Sequence, residues 1–275
     1  MSKSQNQVGG HGSILKLPDG KLAKPITHEE GKFYVFIEDM EKYKPLRPFF
    51  PKTFGFFDAS QDEIHTITNS EELVETKPLR TLDEVEINNN HKRYFVMENL
   101  MYGMTKPCIM DLKMGRRGYG IGAKENKVKS QSRKCKASTS WTHGFRMVGM
   151  KRFNKKINEY EKKDKAWGRK LSGDKADVSL RIFLHDGVEF KMAVAKQFLE
   201  DMKNLKQTLE PFSDIRLFSS SILIIYDAES DKYCFKLIDF AHSYINIPKG
   251  QDEDGYLFGL NYLIGALEKI INEYK

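Results

Sequence analysis

"PCIMDLKMG", residues 107–115, decides how the rest of the chain is read. It places an acid, Asp111, and a base, Lys113, one residue apart, with Pro107 before them and Gly115 after. In a strand, alternate residues project from the same face, so the two charges stand side by side. The plain reading is a surface ion pair on an edge strand, which contributes little. The sharper reading is a pair aimed at one ligand. The surroundings choose between them.

The chain has 275 residues, enough for one large domain or two lobes sharing a cleft. Hydrophobic residues make up 40% and charged residues 30%, which fits a soluble protein with a sizeable core. No apolar run approaches the roughly 18 residues of a membrane span, so no membrane anchor is expected. The start, "MSKSQNQVGGHG", lacks the apolar segment of a signal peptide. Cys108, Cys135 and Cys234 are widely spaced and form no CxxC pair. Neither a zinc site nor a disulfide framework is expected, and a reducing compartment, cytoplasmic or nuclear, is.

Charge is unevenly placed. Residues 1–100 hold 13 Lys and Arg against 16 Asp and Glu. Residues 101–170 hold 20 against 5, a net of +15. Residues 171–275 return to 12 against 17. A block this basic between two mildly acidic parts implies a polyanionic partner: nucleic acid, an anionic membrane, or a small, densely phosphorylated ligand.

The N-terminal third reads as strands and turns. "GSILKLPDGKLAKPI" has the form of a hairpin around Pro18-Asp19-Gly20. Thr27 with Glu30 three residues on has the form of a capping box. "YFVMENL", 94–100, is an apolar strand with a polar break, and the lobe boundary is placed just after it: 1–100, then 101–275. Residues 58–93 read as an acidic, variable excursion. Further on, Ala195, Phe198, Met202, Leu205 and Leu209 recur at helical spacing. "ILIIY" and "YCFKLIDF" form an antiparallel hairpin ending at Asp239, and "GYLFGLNYLIGALEKIINEY" a closing buried helix. No internal repeat is visible.

Several residues now align in chain order. Lys24 lies on the second hairpin strand, where a lysine meets phosphate oxygens, and Glu30 follows as its partner. Glu98, Asn99 and Leu100 end a strand where free backbone groups can read an adenine edge. Asp111 and Lys113 come next, and Asp239 ends a strand where a carboxylate can hold Mg²⁺. Phosphoryl transfer uses this inventory.

These residues carry a resemblance. The chain resembles the inositol polyphosphate kinase family, whose signature PxxxDxKxG stands here as Pro107, Asp111, Lys113 and Gly115. The family's SSLL motif appears as "SSIL", 220–223, its IDF motif as Ile238-Asp239-Phe240, and "GFRMVGM", 144–150, is similar to its strand after the substrate helices. The match runs from about residue 12 to the end. "RKCKASTS", "SSSILIIYD", "LIDFAHS" and "DGYLFGL" most resemble the inositol hexakisphosphate kinases.

The resemblance implies an α+β, two-lobed fold related to protein kinases and ATP-grasp-like, with a strand-rich N-lobe and a larger mixed C-lobe. A substrate-binding helical segment, 116–143, is inserted in the latter. It also implies ATP and Mg²⁺ as cofactors and an inositol polyphosphate as substrate, with no nucleic acid required and a monomer expected. Lys24 would contact ATP phosphates, Glu98, Asn99 and Leu100 would form the adenine hinge, and Asp111 would sit by the ribose and the reacting centre. Lys113 and His242 would face substrate, while Ser221 and Asp239 would coordinate Mg²⁺. Lys127 and Lys134 match the family's substrate lysines. On a helix, that face also carries Ser130 and Gln131, with Arg133 and Lys129 to the side.

Two stretches are set aside. "GYGIG", 118–122, follows the signature and does not sit between a strand and a helix start, as a dinucleotide loop must. "KKINEYEKKDKAWGRK", 155–170, reads as a solvated helix or loop. The favoured reaction is phosphorylation of a phosphate of inositol hexakisphosphate, giving a diphosphoinositol. The alternatives are a kinase acting on a hydroxyl of inositol trisphosphate or several lower phosphates, and a non-catalytic polyanion-binding module. The basic helix lacks the interleaved aromatics of a single-strand nucleic-acid binder.

Overall fold

A computed structural model describes residues 14–69, 73–83, 90–247 and 255–275, and two antiparallel sheets organise them. The N-lobe comprises β1 (Leu15–Lys16), β2 (Lys21–Pro25), α1 (His28–Asp39), β3 (Thr53–Ala59), α2 (Gln61–Asn69) and β4 (Lys92–Glu98). Its sheet runs β1-β2-β4-β3. A 3₁₀ turn at Pro18–Gly20 joins β1 to β2. Thr27 caps α1 by accepting the N–H of Glu30 on its hydroxyl. The Glu30 carboxylate does not return to the cap; it is buried and used elsewhere. On one face of the sheet, α1 buries Phe33, Tyr34 and Ile37; on the other, Ile64 of α2 joins Leu15, Ala23, Phe57, Tyr94 and Val96.

The stretch expected as an excursion, 58–93, instead contributes to the fold. Arg93 grips both oxygens of Asp58 at 2.8 Å, Lys77 bridges Phe56, and Leu79 and Leu82 enter the core. Within it, residues 70–72 and 84–89 lie outside the described residues.

Residues 99–106 link the two sheets. The Asn99 side chain accepts the N–H of Met101, and the Asp227 carboxylate accepts those of Thr105 and Lys106. The C-lobe follows as β5 (Pro107–Met114), α3 (Glu125–Lys136), α4 (Thr139–His143), β6 (Phe145–Asn154), β7 (Glu159–Lys163), α5 (Lys165–Arg169) and α6 (Val178–Phe183). It continues with α7 (Met192–Leu209), β8 (Arg216–Leu217), β9 (Ser221–Asp227), β10 (Tyr233–Ile238), β11 (Ser243–Tyr244) and α8 (Tyr256–Glu273). The main sheet runs β10-β9-β5-β6-β7. The helical spacing read in α7 holds: Ala195, Phe198, Met202, Leu205 and Leu209 are its buried stripe.

Two findings bear on the site. First, the signature strand β5 is the middle strand, hydrogen-bonded to β9 on one side and β6 on the other. A surface ion pair on an edge is thereby excluded. Second, 155–170 is only in part the helix or loop expected, because Glu159–Lys163 is a strand. Its first half completes the β6–β7 hairpin, where Tyr160 pairs with Phe153 and Glu161 with Arg152. Its second half is α5, capped by Asp164 on the N–H of Trp167. The local sequence is too charged to announce a strand; partners on β6 supply the packing it lacks.

The lobes share one core. Phe240, fully buried, lies 5.0 Å from the ring of Phe33, 5.3 Å from Tyr34 and 4.8 Å from Phe50. The residue after Asp239 is thus locked to the N-lobe helix that carries Glu30.

Candidate active site

Lys24 of β2 reaches across the lobes. Its ammonium lies 2.6 Å from Asp239 Oδ1 and 3.1 Å from Glu30 Oε1. The Phe240 N–H donates to the same Glu30 oxygen at 3.3 Å. Burial alone would lower the Lys24 pKa, but Asp239 and Glu30 outweigh it and hold the pKa above its ordinary value, so the lysine stays charged. Asp239 follows β10 directly and adopts a left-handed φ of 65°. Such a conformation is strained for most residues and tolerated best by Asn and Asp.

Asp111 lies deeper. It is 4% exposed, and its Oδ1 has no hydrogen-bond partner. Burial, then the charge of Asp239, push its pKa up to about 6, against a hydrogen bond from Ser221 and the cations Lys113 and Arg146. Lys113 shares its face. Burial first, then Arg146, bring Lys113 down to about 8, although Asp239 and Asp111 oppose this. Register puts Ser221 between Lys113 of β5 and Ile238 of β10. After β5 the chain must turn at once, and Gly115 does so at φ 83°.

Among the described residues no group of three His, Cys, Asp or Glu forms a ready metal cage. Two carboxylates, Asp111 on β5 and Asp239 just after β10, flank β9, whose Ser221 hydroxyl lies beside Asp111; with one orphaned buried oxygen they are hard oxygen donors suited to a divalent cation that takes its remaining ligands from phosphates.

Around these acids stands a wall of cations. On α3, Lys127 approaches His242 Nε2 at 3.4 Å, and burial together with Lys127 and Lys113 lowers the His242 pKa. Lys134 shares that helix face with Ser130 and Gln131, with Arg133 to its side; Lys127, Arg133 and Lys134 are all exposed. Three further cations come from outside the residues read as candidates: Arg146 on β6, and Lys165 and Arg169 on α5. Burial, then Arg146, Arg169 and Lys134, lower the Lys165 pKa. A visible signal existed for Arg146: like Lys113, it is a cation set among apolar residues, in "GFRMVGM". None existed for Lys165 and Arg169, which sit among other charges. The "GYGIG" loop is pinned beneath this wall, its Ile121 N–H donating to the Tyr244 hydroxyl. Glu98, Asn99 and Leu100 lie at the sheet-to-sheet link, where the Glu98 carboxylate accepts the Lys52 N–H.

The inositol polyphosphate kinase family model matches residues 94–268. Inositol hexakisphosphate kinase 3 of Mus musculus is 35% identical over 202 residues, covering 65% of this chain and 51% of its own. The Homo sapiens enzyme of the same name is 32% identical over 223 residues, covering 70% and 54%. The chain therefore spans about half the length of the curated relatives it matches. The fold matches that of inositol phosphate multikinase from S. cerevisiae, solved in complex with ADP and Mn²⁺, with a TM-score of 0.71 and 24% identity over 91% of this chain and 99% of that one. These matches agree with the two-lobed, kinase-like architecture and with the signature strand running through its middle: the chain belongs to the inositol polyphosphate kinase family.

Proposed function

We propose that the chain is an ATP- and Mg²⁺-dependent inositol polyphosphate kinase whose acceptor is inositol hexakisphosphate and whose product is a diphosphoinositol. One observation carries the reading. Six cations from four elements, Lys113, Lys127, Lys134, Arg146, Lys165 and Arg169, surround a site whose own acids are Asp111 and Asp239. That excess of charge matches an acceptor carrying a phosphate on every carbon. The likeness to the hexakisphosphate kinases supports it.

In this reading, Glu98, Asn99 and Leu100 offer backbone groups to adenine. Lys24, held by Glu30 and Asp239, meets the nucleotide phosphates. Bound Mg²⁺, held by Asp239 with Ser221 and Asp111, would neutralise charge on the transferred group. Lys113 offsets the remaining charge and holds the acceptor beside Asp111. An acceptor phosphate oxygen forms a bond to the γ-phosphorus while the bond to ADP breaks, and ADP leaves with the electron pair. An ionised phosphate acceptor has no proton to lose.

A second reading has an observation of its own. A buried carboxyl with a free oxygen and a pKa near 6 suits proton abstraction at neutral pH, as a hydroxyl acceptor requires. Incubation with ATP, Mg²⁺ and labelled tris-, pentakis- and hexakisphosphates, with product mapping, separates the two. Phosphoanhydride formed on hexakisphosphate is the expected result; phosphorylation of free hydroxyls alone would transfer the assignment to the second.

The site also predicts a pH profile. Lys113 is charged below about pH 8 and neutral above it. The kcat/KM for acceptor, which reports free enzyme, should fall as pH rises through 8. Bound phosphates favour the charged lysine, so the fall in kcat should lie higher. Lys113→Arg should abolish the alkaline fall in kcat/KM; a fall that persists in that variant contradicts the assignment.

A further inference from the structure

Arg146 stands out within the cation wall. The register pairs it directly with Lys113, so the two side chains leave the same face as immediate neighbours. Like charges in that position repel, and nothing in the strand pairing rewards them. No acid side chain separates them: opposite Asp111 the partner is Gly149, and an extra residue on β6 makes a bulge between Asp111 and Leu112. Arg146 Nη1 is buried and has no hydrogen-bond partner. From the other side, α5 brings Arg169 and Lys165. It sits so close to β6 that a Cβ on Gly168 would lie 2.2 Å from the Met147 carbonyl oxygen, so position 168 admits only glycine. The fold thus fixes a guanidinium beside a lysine, with Asp111 as an acid that both share and Asp239 acting on the lysine alone.

We propose that Arg146 and Lys113 form a two-cation clamp on the attacking phosphate of the acceptor, and that Arg146 thereby sets the preference for a phosphate over a hydroxyl as nucleophile. The inference rests on the kinase reading above. Lys113 is two residues from Asp111 and beside Ser221, so a group gripped at Lys113 is at the transfer point. A guanidinium binds phosphate through a planar fork of donors, and a neighbouring ammonium can take a third oxygen. A hydroxyl acceptor presents one oxygen and leaves Arg146 idle. The step balances without a base: one acceptor phosphate oxygen bonds to the γ-phosphorus, the bond to ADP breaks, and no proton moves.

The test uses the full chain and the variants Arg146→Leu and Arg146→Lys. Turnover is measured on inositol hexakisphosphate and on inositol trisphosphate, and hexakisphosphate affinity is measured by calorimetry without nucleotide. For Arg146→Leu, kcat/KM on hexakisphosphate should fall about 30-fold and affinity about 10-fold, the loss of a bidentate charged contact. Hydroxyl phosphorylation of the trisphosphate should also fall, but by a clearly smaller factor, since its attacking hydroxyl makes no bidentate contact with Arg146. Arg146→Lys should recover part of the loss, since a point charge replaces a fork. Equal losses on both acceptors, or unchanged hexakisphosphate affinity, would overturn the clamp. A wild-type chain that binds hexakisphosphate but forms no phosphoanhydride sinks the hexakisphosphate reading and the clamp with it, whereas equal losses on both acceptors in a chain that does form phosphoanhydride overturn the clamp alone.

Discussion

Asp111→Asn is expected to make the protein more stable and nearly inactive at once. At pH 7.5 its melting temperature should rise by roughly 5 °C, while kcat falls at least about 100-fold. The carboxyl has an ordinary value of 3.8 and titrates near 6 in the native site, where burial is the main cause. Above pH 6 it is ionised in both states, and the native state bears the full cost of a buried charge. Below about pH 4 it is protonated in both, and the cost vanishes. Between them the native state holds the extra proton, so this group makes stability fall as pH rises. Two units of displacement correspond to about 3 kcal/mol, of which asparagine recovers about 2, because its amide must find its own partners. The gain should be present at pH 7.5 and absent at pH 4. An asparagine variant that melts lower at pH 7.5, or turns over near-normally, contradicts this account of the site.

That tension explains why the signature was legible and its setting was not. Strand alternation alone puts Asp111 and Lys113 on one face, and the structure keeps them there. Their cost comes from being on the central strand, and that depends on β9 and β6, more than thirty residues away in sequence. Local signals worked where the cause was local: the Pro18–Gly20 turn, the Thr27 cap and the α7 stripe. They failed at β7, whose strand comes from pairing with β6, and at the packing of α5 on β6. The same blindness hid Lys165 and Arg169, because a cation among charges looks solvated until the fold brings it next to Arg146.

Asp239→Asn should produce the larger kinetic loss and a second, independent signal. Removing a carboxylate suited to metal should lower kcat about 1000-fold at saturating Mg²⁺. Lys24 loses its nearest partner and keeps only Glu30. After burial, the Asp239 charge is the next cause of the raised Asp111 pKa, so its removal should bring Asp111 back towards its ordinary value. The acid-side change in melting temperature assigned to Asp111 should then narrow and move to lower pH, although the mutation is on another strand. Backbone damage is separated by comparison with Asp239→Ala. Asn tolerates the left-handed φ of 65°, whereas Ala adds a cost of about 1 kcal/mol. The two variants should be equally inactive but unequally stable. Binding of hexakisphosphate without nucleotide should be preserved in both, since the change removes negative charge from an anion site. If Asp239→Asn retained turnover within tenfold of wild type, the carboxylate would not be serving phosphoryl transfer. If turnover fell but the Asp111 transition stayed in place, Asp239 would act alone, and the two acids would not form one site.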